Sequence, residues 1–145
     1  MTTRQFTTNS AEETIELGRK LAADLQPPRL VLLRGDLGAG KTTTVKGIAE
    51  AFHAASQEDV TSPTFTLIHE YRAAEMSVYH IDLYRIDTPR ELATLGLDEL
   101  INDERNVVLI EWGEKFPILL RERDVEISID RLGPEQRKIQ VIFQR

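Results

Sequence analysis

The sequence predicts an α/β protein, and three observations support this class. Leu30 to Leu33 is a short apolar run that leads into a glycine-rich segment and then into a helical pattern, as expected for a buried parallel strand followed by a loop and a helix. Two further β-rich runs, Ser77 to Asp82 and Val107 to Glu111, each end on a carboxylate. Near the C-terminus, two alternating segments flank a Gly-Pro turn and predict an antiparallel hairpin.

The composition limits the classes of function. A chain of 145 residues is long enough for one domain with a sizeable core. Its net charge of −6 disfavours a protein that grips a nucleic-acid backbone unaided, since phosphate neutralisation normally needs basic patches. Cysteine is absent, which excludes disulfides and thiol chemistry and fits a reducing cytoplasm. The N-terminal residues are not followed by an apolar segment, so neither an export signal nor a membrane span is expected.

The glycine-rich segment Gly35 to Thr42 satisfies the phosphate-binding pattern G-x-x-x-x-G-K-[ST]. Glycine permits backbone angles that let successive N–H groups turn inward around a phosphate. Lys41 would supply a positive charge for the β- and γ-phosphates, and the Thr42 hydroxyl would ligate magnesium. The following helix would place the positive end of its dipole beneath the anion. Strand, loop and helix occur in the required order, so the sequence predicts a phosphate site here.

An acid at the end of a neighbouring strand would complete such a site, because the carboxyl ends of parallel strands open onto the ligand crevice. Asp82 and Glu111 both qualify, and the pattern leaves open which of them binds magnesium or orients the attacking water. Val107 to Glu111 is the purer apolar run and the cleaner central strand. The histidines show no metal-ligand spacing, so we interpret them as structural or surface groups.

The remaining segments are interpreted as elements around this sheet. Asn9 to Leu25 is a predicted amphipathic helix with a capping box formed by Ser10 and Glu13. Thr88 and Pro89 are typical of a capped helix start. A second short element begins after Gly96, and the run from Lys115 to Arg123 is a short helix or turn.

The sequence also predicts a strand after the loop Thr61–Thr64 and a hairpin of two strands near the C-terminus. Thr61 to Thr64 precedes the predicted strand Phe65 to Tyr71. Hydroxyls in that position could reach magnesium or a γ-phosphate, although the residues by themselves favour an ordinary Ser-Pro turn. Val125 to Asp130 and Lys138 to Phe143 are the two strands of the C-terminal hairpin, which we expect at a sheet edge with one face solvated.

Five segments considered together are more specific than any one of them. They are GDLGAGKTT at Gly35 to Thr43, SPTFTL at Ser62 to Leu67 together with Tyr71, HIDLYR at His80 to Arg85, LGLDE at Leu95 to Glu99, and EWGE at Glu111 to Glu114. In this order and spacing they resemble the TsaE family, the ATPase of bacterial tRNA threonylcarbamoyladenosine biosynthesis. One departure is Thr44, where the family often carries a bulky apolar residue, and it concerns packing rather than chemistry.

The resemblance implies a three-layer P-loop NTPase fold, with a mixed, mostly parallel central sheet and a C-terminal antiparallel hairpin, as a single domain over residues 1–145. It also implies ATP and Mg²⁺ as cofactors. The residues implied to bind the phosphates are Gly38, Gly40, Lys41, Thr42 and Thr43. Asp36, Leu37 and Ala39 of the same loop are further implied cofactor-binding residues. Thr42 and Glu111 would hold magnesium, with Asp82 in the same acidic cluster, so Lys41, Asp82 and Glu111 are the candidate catalytic residues.

The resemblance extends to the rest of the nucleotide site and to partner proteins. The adenine contact would lie at Ser10 and Ala11, and Trp112 and the Thr61–Thr64 loop would belong to the site region. The family works beside two proteins, TsaB and TsaD, of which TsaD transfers the threonylcarbamoyl group. Contact with tRNA would then be indirect, through the complex, which agrees with the acidic net charge, and a cytoplasmic location without a membrane anchor is expected.

Two rival interpretations share the phosphate loop. A small-molecule kinase would also need an acceptor pocket and a mobile arginine lid, and the short, mixed-charge run Arg121 to Arg123 is the only lid candidate in the sequence. A guanine-nucleotide switch would need an Asn-Lys-x-Asp motif, which the chain lacks.

Overall fold

The structure is a computed structural model that describes residues 1–36, 38–56, 60 and 67–144. Its strands are β1 (Thr2–Thr8), β2 (Arg29–Arg34), β3 (Ile68–Arg72), β4 (Ser77–Asp82), β5 (Asn106–Glu111), β6 (Val125–Arg131) and β7 (Arg137–Phe143). Its helices are α1 (Ala11–Leu21), α2 (Lys41–Ala51), α3 (Pro89–Ala93), α4 (Leu97–Asn102) and α5 (Pro117–Glu122), with single 3-10 turns at Ala22–Asp24 and Gly113–Lys115. Within these residues no helix is both long enough and apolar enough to cross a membrane.

The strands form one mixed sheet in the order β1-β7-β6-β2-β5-β4-β3. The four central strands β6, β2, β5 and β4 are parallel, and the outer pairs β1–β7, β7–β6 and β3–β4 are antiparallel. The predicted mixed α/β sheet with a C-terminal antiparallel hairpin is therefore confirmed. β2, which leads into the phosphate loop, lies between β5 and β6, so the loop opens at the middle of the sheet.

Helices cover both faces of the sheet and make three layers. On one face, Leu17 and Leu21 of α1 and Val45 and Ile48 of α2 pack against the sheet. On the other face, the buried residues of α3, α4 and α5, such as Leu119, pack against the alternate strand residues. Every residue of β5 is buried, as predicted for a central parallel strand. Val107 and Leu109 of β5 pack on the side of α1 and α2, and Glu111, two residues further on, lies on the same face of the strand.

Two glycines allow α1 and α2 to cross at backbone contact distance. A Cβ placed on Gly47 would stand 2.0 Å from the carbonyl oxygen of Ile15, and one on Gly18 would stand 2.5 Å from that of Thr44. Both distances are too short for any side chain, so only glycine fits at this crossing. The close crossing fixes the start of α1 relative to the helix that follows the phosphate loop.

The caps predicted from sequence are present. Ser10 is the N-cap of α1, and its Oγ accepts the Glu13 N–H at 3.1 Å. The Glu13 carboxylate in turn accepts the Asn9 N–H at 2.9 Å, one residue before the cap. Thr88 caps α3 in the same way and accepts the Glu91 N–H at 3.2 Å, with Pro89 in the first turn. The regular helix α1 ends at Leu21, earlier than the predicted Leu25.

The predicted position of the C-terminal hairpin is wrong. The C-terminal hairpin does not lie at the edge of the sheet, because β1 pairs with β7 along its whole length. β1 consists mainly of threonine and other polar residues, and most of it is exposed. It therefore lacks the apolar alternation that predicts a strand, and it forms where β7 offers a free row of backbone groups. The predicted strand starting at Phe65 is described only from Leu67 onward, and β3 begins at Ile68.

Candidate functional site

The phosphate loop joins β2 to α2 through glycines with positive φ. Gly38 has a φ of 78° and Gly40 a φ of 115°. Residues other than glycine rarely adopt these φ angles, so the backbone here requires the glycines of the motif. Gly40 is the N-cap residue of α2, and Lys41 is the first residue of the helix. The N–H groups of the first helical turn, which have no partner within the helix, therefore lie next to the lysine.

Lys41 is buried and balanced by two oxygens and an aromatic ring. Its Nζ donates to the carbonyl oxygen of Gly35 at 2.7 Å and lies 3.6 Å from Oε1 of Glu111. The same nitrogen lies 4.4 Å from the centre of the Trp112 ring, within the range of a cation–π contact. Only 5% of the Lys41 side chain is exposed. A buried ammonium held in this way is a preformed point charge for an anion.

The two predicted acids end neighbouring parallel strands. Asp82 of β4 and Glu111 of β5 are register partners, and both are buried. Oε2 of Glu111 accepts a hydrogen bond from His80 Nε2 at 2.5 Å, and Oδ1 of Asp82 accepts the N–H of Tyr84 at 2.9 Å. The structure thus brings both acids to one edge of the sheet, and it is Glu111 that contacts Lys41.

A cavity of about 380 Å³ opens above the loop. Three parts of the fold line it: the phosphate loop with the strand end beside it, the start of α1, and the turn between β6 and β7. The lining residues are Gly38, Gly40, Lys41, Thr42, Thr43 and Glu111, then Ala11 and Thr14, then Pro134, Glu135 and Arg137. The volume lies within the range of small-molecule sites, roughly 300–1,000 Å³. One end of the cavity is bounded by the phosphate loop and Lys41, and the other end lies between α1 and the turn from β6 to β7.

The other predicted site residues occupy different places. Ser10 is used as the cap of α1, and its neighbour Ala11 lines the cavity. Asp36 and Ala39 line a separate hollow on the far side of the loop, against the end of β6. Trp112 packs on Lys41 and on the ring of Tyr84, whose centre is 5.4 Å away. Leu37 and the Thr61–Thr64 loop lie outside the described residues.

Arg137 is a site residue that sequence reasoning missed. Its Nε donates to the carbonyl oxygen of Ala39 at 2.7 Å, and its Nη1 donates to that of Gly133 at 3.0 Å. The side chain therefore ties the start of β7 to the phosphate loop. No local pattern could indicate this role, because a charged residue at the start of a strand usually faces solvent.

His80 is the second residue that was missed. The sequence indicates a structural or surface group, whereas the structure places its ring against Glu111, a predicted catalytic acid. The available signal was its position two residues before Asp82, since alternate residues of a strand share a face. His69, its register partner on β3, has a pKa below the ordinary value of 6.5, chiefly because of burial.

The chemistry of the donor set fits a magnesium nucleotide. Mg²⁺ prefers hard oxygen ligands and is usually bound through one or two carboxylates together with phosphate oxygens. Glu111, Asp82 and the hydroxyl of Thr42 are such ligands. Among the described residues no group of three or more His, Cys, Asp or Glu side chains could hold a metal by itself. A magnesium ion bound here would be held by these protein oxygens together with oxygens of the nucleotide.

A phosphate loop on a central strand, followed by a helix and flanked by an acid at the next strand end, defines a protein of the P-loop class. The comparison with known proteins narrows this class. The family described as "Threonylcarbamoyl adenosine biosynthesis protein TsaE" matches residues 8–139, and the chain belongs to the TsaE family. The family acts in the biosynthesis of threonylcarbamoyladenosine in tRNA.

Individual relatives agree with this assignment. The tRNA threonylcarbamoyladenosine biosynthesis protein TsaE of Rickettsia conorii is 40% identical over 136 residues, which are 94% of this chain and 76% of the relative. The protein of the same name from Bacillus subtilis is 38% identical over 135 residues, 93% of this chain and 82% of the relative. The crystal structure of Bacillus subtilis YdiB superposes with a TM-score of 0.73 at 35% identity, covering 97% of this chain and 84% of that one.

Proposed function

We propose that this protein is a Mg²⁺-dependent ATPase that supports threonylcarbamoyladenosine modification of tRNA. One observation carries the proposal: the buried Lys41 ammonium and the Glu111 carboxylate meet at the floor of a cavity bounded by the phosphate loop. A buried lysine beside a glycine loop and the N-terminus of a helix can bind an anion. The neighbouring carboxylate can bind the metal cation that accompanies that anion.

The residues of the chain divide the work of binding. Lys41 would exchange the Gly35 carbonyl and Glu111 for the β- and γ-phosphates, while the N–H groups at the start of α2 bind the same phosphates. Thr42 and Glu111 would hold magnesium, with Asp82 in the same acidic cluster. Bound magnesium would neutralise part of the phosphate charge. Ala11 and the turn that carries Pro134 border the end of the cavity away from the phosphates, where the base would lie.

Hydrolysis needs a water molecule placed in line with the bond that breaks. Glu111 and Asp82 are acceptor groups at the strand ends beside the phosphate loop, and either can orient that water by accepting its hydrogen bond. The overall reaction converts ATP and water into ADP and phosphate. The cavity is lined by protein groups that suit a nucleotide, and no further substrate is required.

Partner proteins complete the proposal. We propose that the chain works with TsaB and TsaD and meets tRNA only through their complex, in the cytoplasm. The family's place in threonylcarbamoyladenosine biosynthesis and the net charge of −6 support this division of labour. Nucleotide state can control such a complex only if the partners bind one state better than another.

The test is phosphate release from ATP and from GTP, with and without Mg²⁺ and candidate acceptors. We expect slow release from ATP alone, faster release when TsaB and TsaD are added, and loss of both in Lys41→Ala. Lys46→Ala is the matched control, because Lys46 lies on the same helix but does not line the cavity. Transfer of phosphate to an added small molecule would instead favour a kinase, and preference for GTP would favour a guanine-nucleotide switch.

A further inference from the structure

His80 is fully buried and has one side-chain partner among the described residues. It lies on β4, between the edge strand β3 and β5, and on the face of β4 that also carries Asp82. Its Nε2 is 2.5 Å from Oε2 of Glu111. Its Nδ1 is buried and makes no hydrogen bond within the described part of the chain. A ring with one proton therefore carries it on Nε2 and donates it to the carboxylate.

Glu111 has two oxygens with two different partners. Oε2 is held by His80, and Oε1 lies 3.6 Å from Nζ of Lys41. His80 is held in place, because its imidazole is fully buried on the face of the sheet. The second partner sits in the phosphate loop and is the group that the proposed function directs toward the nucleotide. When Lys41 turns to the phosphates, His80 is the partner that stays.

We propose that His80 is a positioning residue that keeps the Glu111 carboxylate oriented toward the bound magnesium nucleotide. This inference rests on the proposed function of the same site. A carboxylate left with no partner would be free to rotate, and it would then no longer hold the orientation that a metal ligand needs. A hydrogen bond on the rear oxygen fixes the carboxylate plane and leaves the front oxygen for the metal. Such supporting bonds typically change metal affinity or activity by about 10–100-fold.

The role predicts which part of binding depends on His80. The phosphate loop, Lys41 and the base end of the cavity act on the nucleotide whether or not metal is present. Glu111 acts through the metal. Loss of the His80 hydrogen bond should therefore weaken nucleotide binding in Mg²⁺ and leave binding in EDTA unchanged. A role in packing alone would weaken both.

Two substitutions with side chains of equal length separate the effect of the hydrogen bond from the effect of packing. His80→Gln keeps an N–H donor close to the position of Nε2, whereas His80→Met fills similar space without a donor. Binding of ADP to each variant is measured by calorimetry in Mg²⁺ and in EDTA. We expect His80→Met to bind ADP about tenfold or more weakly than the wild type in Mg²⁺ but not in EDTA. His80→Gln should retain most of the wild-type affinity in Mg²⁺. Equal losses in both variants, or a loss in EDTA as large as in Mg²⁺, would overturn the inference.

A cycle with Glu111→Gln tests whether His80 acts through that carboxylate. In the Glu111→Gln protein, His80→Met should have little further effect on the Mg²⁺-dependent affinity, and a full additional loss would overturn the inference. Failure of the wild-type protein to bind ADP would show that the proposed function is wrong. Normal binding by both the wild-type protein and His80→Met would instead show that only the role of His80 is wrong.

The wild-type protein offers a measurement that needs no variant to fold. The chain has three histidines, so their ring nitrogens can be assigned by NMR. We expect the His80 ring proton on Nε2, both free and with Mg-ADP bound. A proton on Nδ1 alone would overturn the inference, because Nε2 would then be unable to donate to Glu111.

Discussion

Lys41→Ala removes one member of a buried ion pair, and the structure sets the size of its effect on stability. At 3.6 Å, two unit charges attract by about 5 kcal/mol at an effective dielectric constant of about 20. The cost of desolvating both ions offsets much of this attraction. Breaking a buried pair typically costs about 3–5 kcal/mol when the remaining charge is left alone. Glu111 keeps His80 and lines an open cavity, so we expect a smaller loss of about 1–3 kcal/mol.

This expectation revises what the sequence alone suggests. Alanine is a good helix former, and on that ground the substitution would leave stability almost unchanged. The structure adds that Lys41 is buried, bonded to Gly35 and paired with Glu111. The nucleotide-free variant should therefore unfold at lower urea, and its affinity for ATP should collapse.

Urea unfolding of a double-mutant cycle measures the pair directly. Lys41→Ala and Glu111→Gln are made singly and together, with Lys46→Ala as the control on the same helix. We expect the double variant to lose less stability than the sum of the two single variants, by about 0.5–3 kcal/mol. Strict additivity, or a Lys41→Ala variant as stable as the wild type, would refute the reasoning.

Three further predictions concern the same region. Glu111→Gln should reduce Mg²⁺-dependent ATP hydrolysis more than Asp82→Asn, since Glu111 contacts Lys41 and lines the cavity; equal mild losses would contradict this ranking. The emission of Trp112, the single tryptophan, should change when Mg-ATP is added, because Lys41 lies over its ring; a flat titration with confirmed binding would show that the ring does not sense the site. The pKa of His69 is lowered, chiefly by burial, so as the pH falls the unfolded chain binds a proton at His69 before the folded chain does. The neutral His69 ring therefore contributes to the stability of the fold above about pH 6.5, and this contribution is lost as the pH falls further. Unfolding of His69→Gln across this range should show a weaker pH dependence than the wild type.

The sequence predicted the central part of the fold because each element there has a local physical signal. The phosphate loop depends on glycines at positive φ, and Gly38 and Gly40 have those angles. The α1 cap depends on a hydroxyl and a carboxylate three residues apart, and Ser10 and Glu13 make those bonds. The buried strand β5 depends on a continuous apolar run, and its residues are all buried.

The rest depends on contacts between distant segments, which carry no local signal. β1 is polar, and only the free side of β7 makes it a strand. Arg137 reaches the phosphate loop across 98 positions of sequence. His80 contacts Glu111 because β4 pairs with β5 in one register, and that register brings Asp82 beside Glu111 as well. Pairing order and register follow from packing of the whole sheet, so the site's supporting residues emerge only from the structure.

The most direct test of the central claim is mass spectrometry of tRNA nucleosides after the protein is depleted from its own cells. We expect threonylcarbamoyladenosine to fall on depletion, the wild-type and Lys46→Ala proteins to restore it, and Lys41→Ala to fail to do so. Unchanged modification on depletion, or full restoration by Lys41→Ala, would contradict the claim that the Lys41–Glu111 site serves tRNA modification.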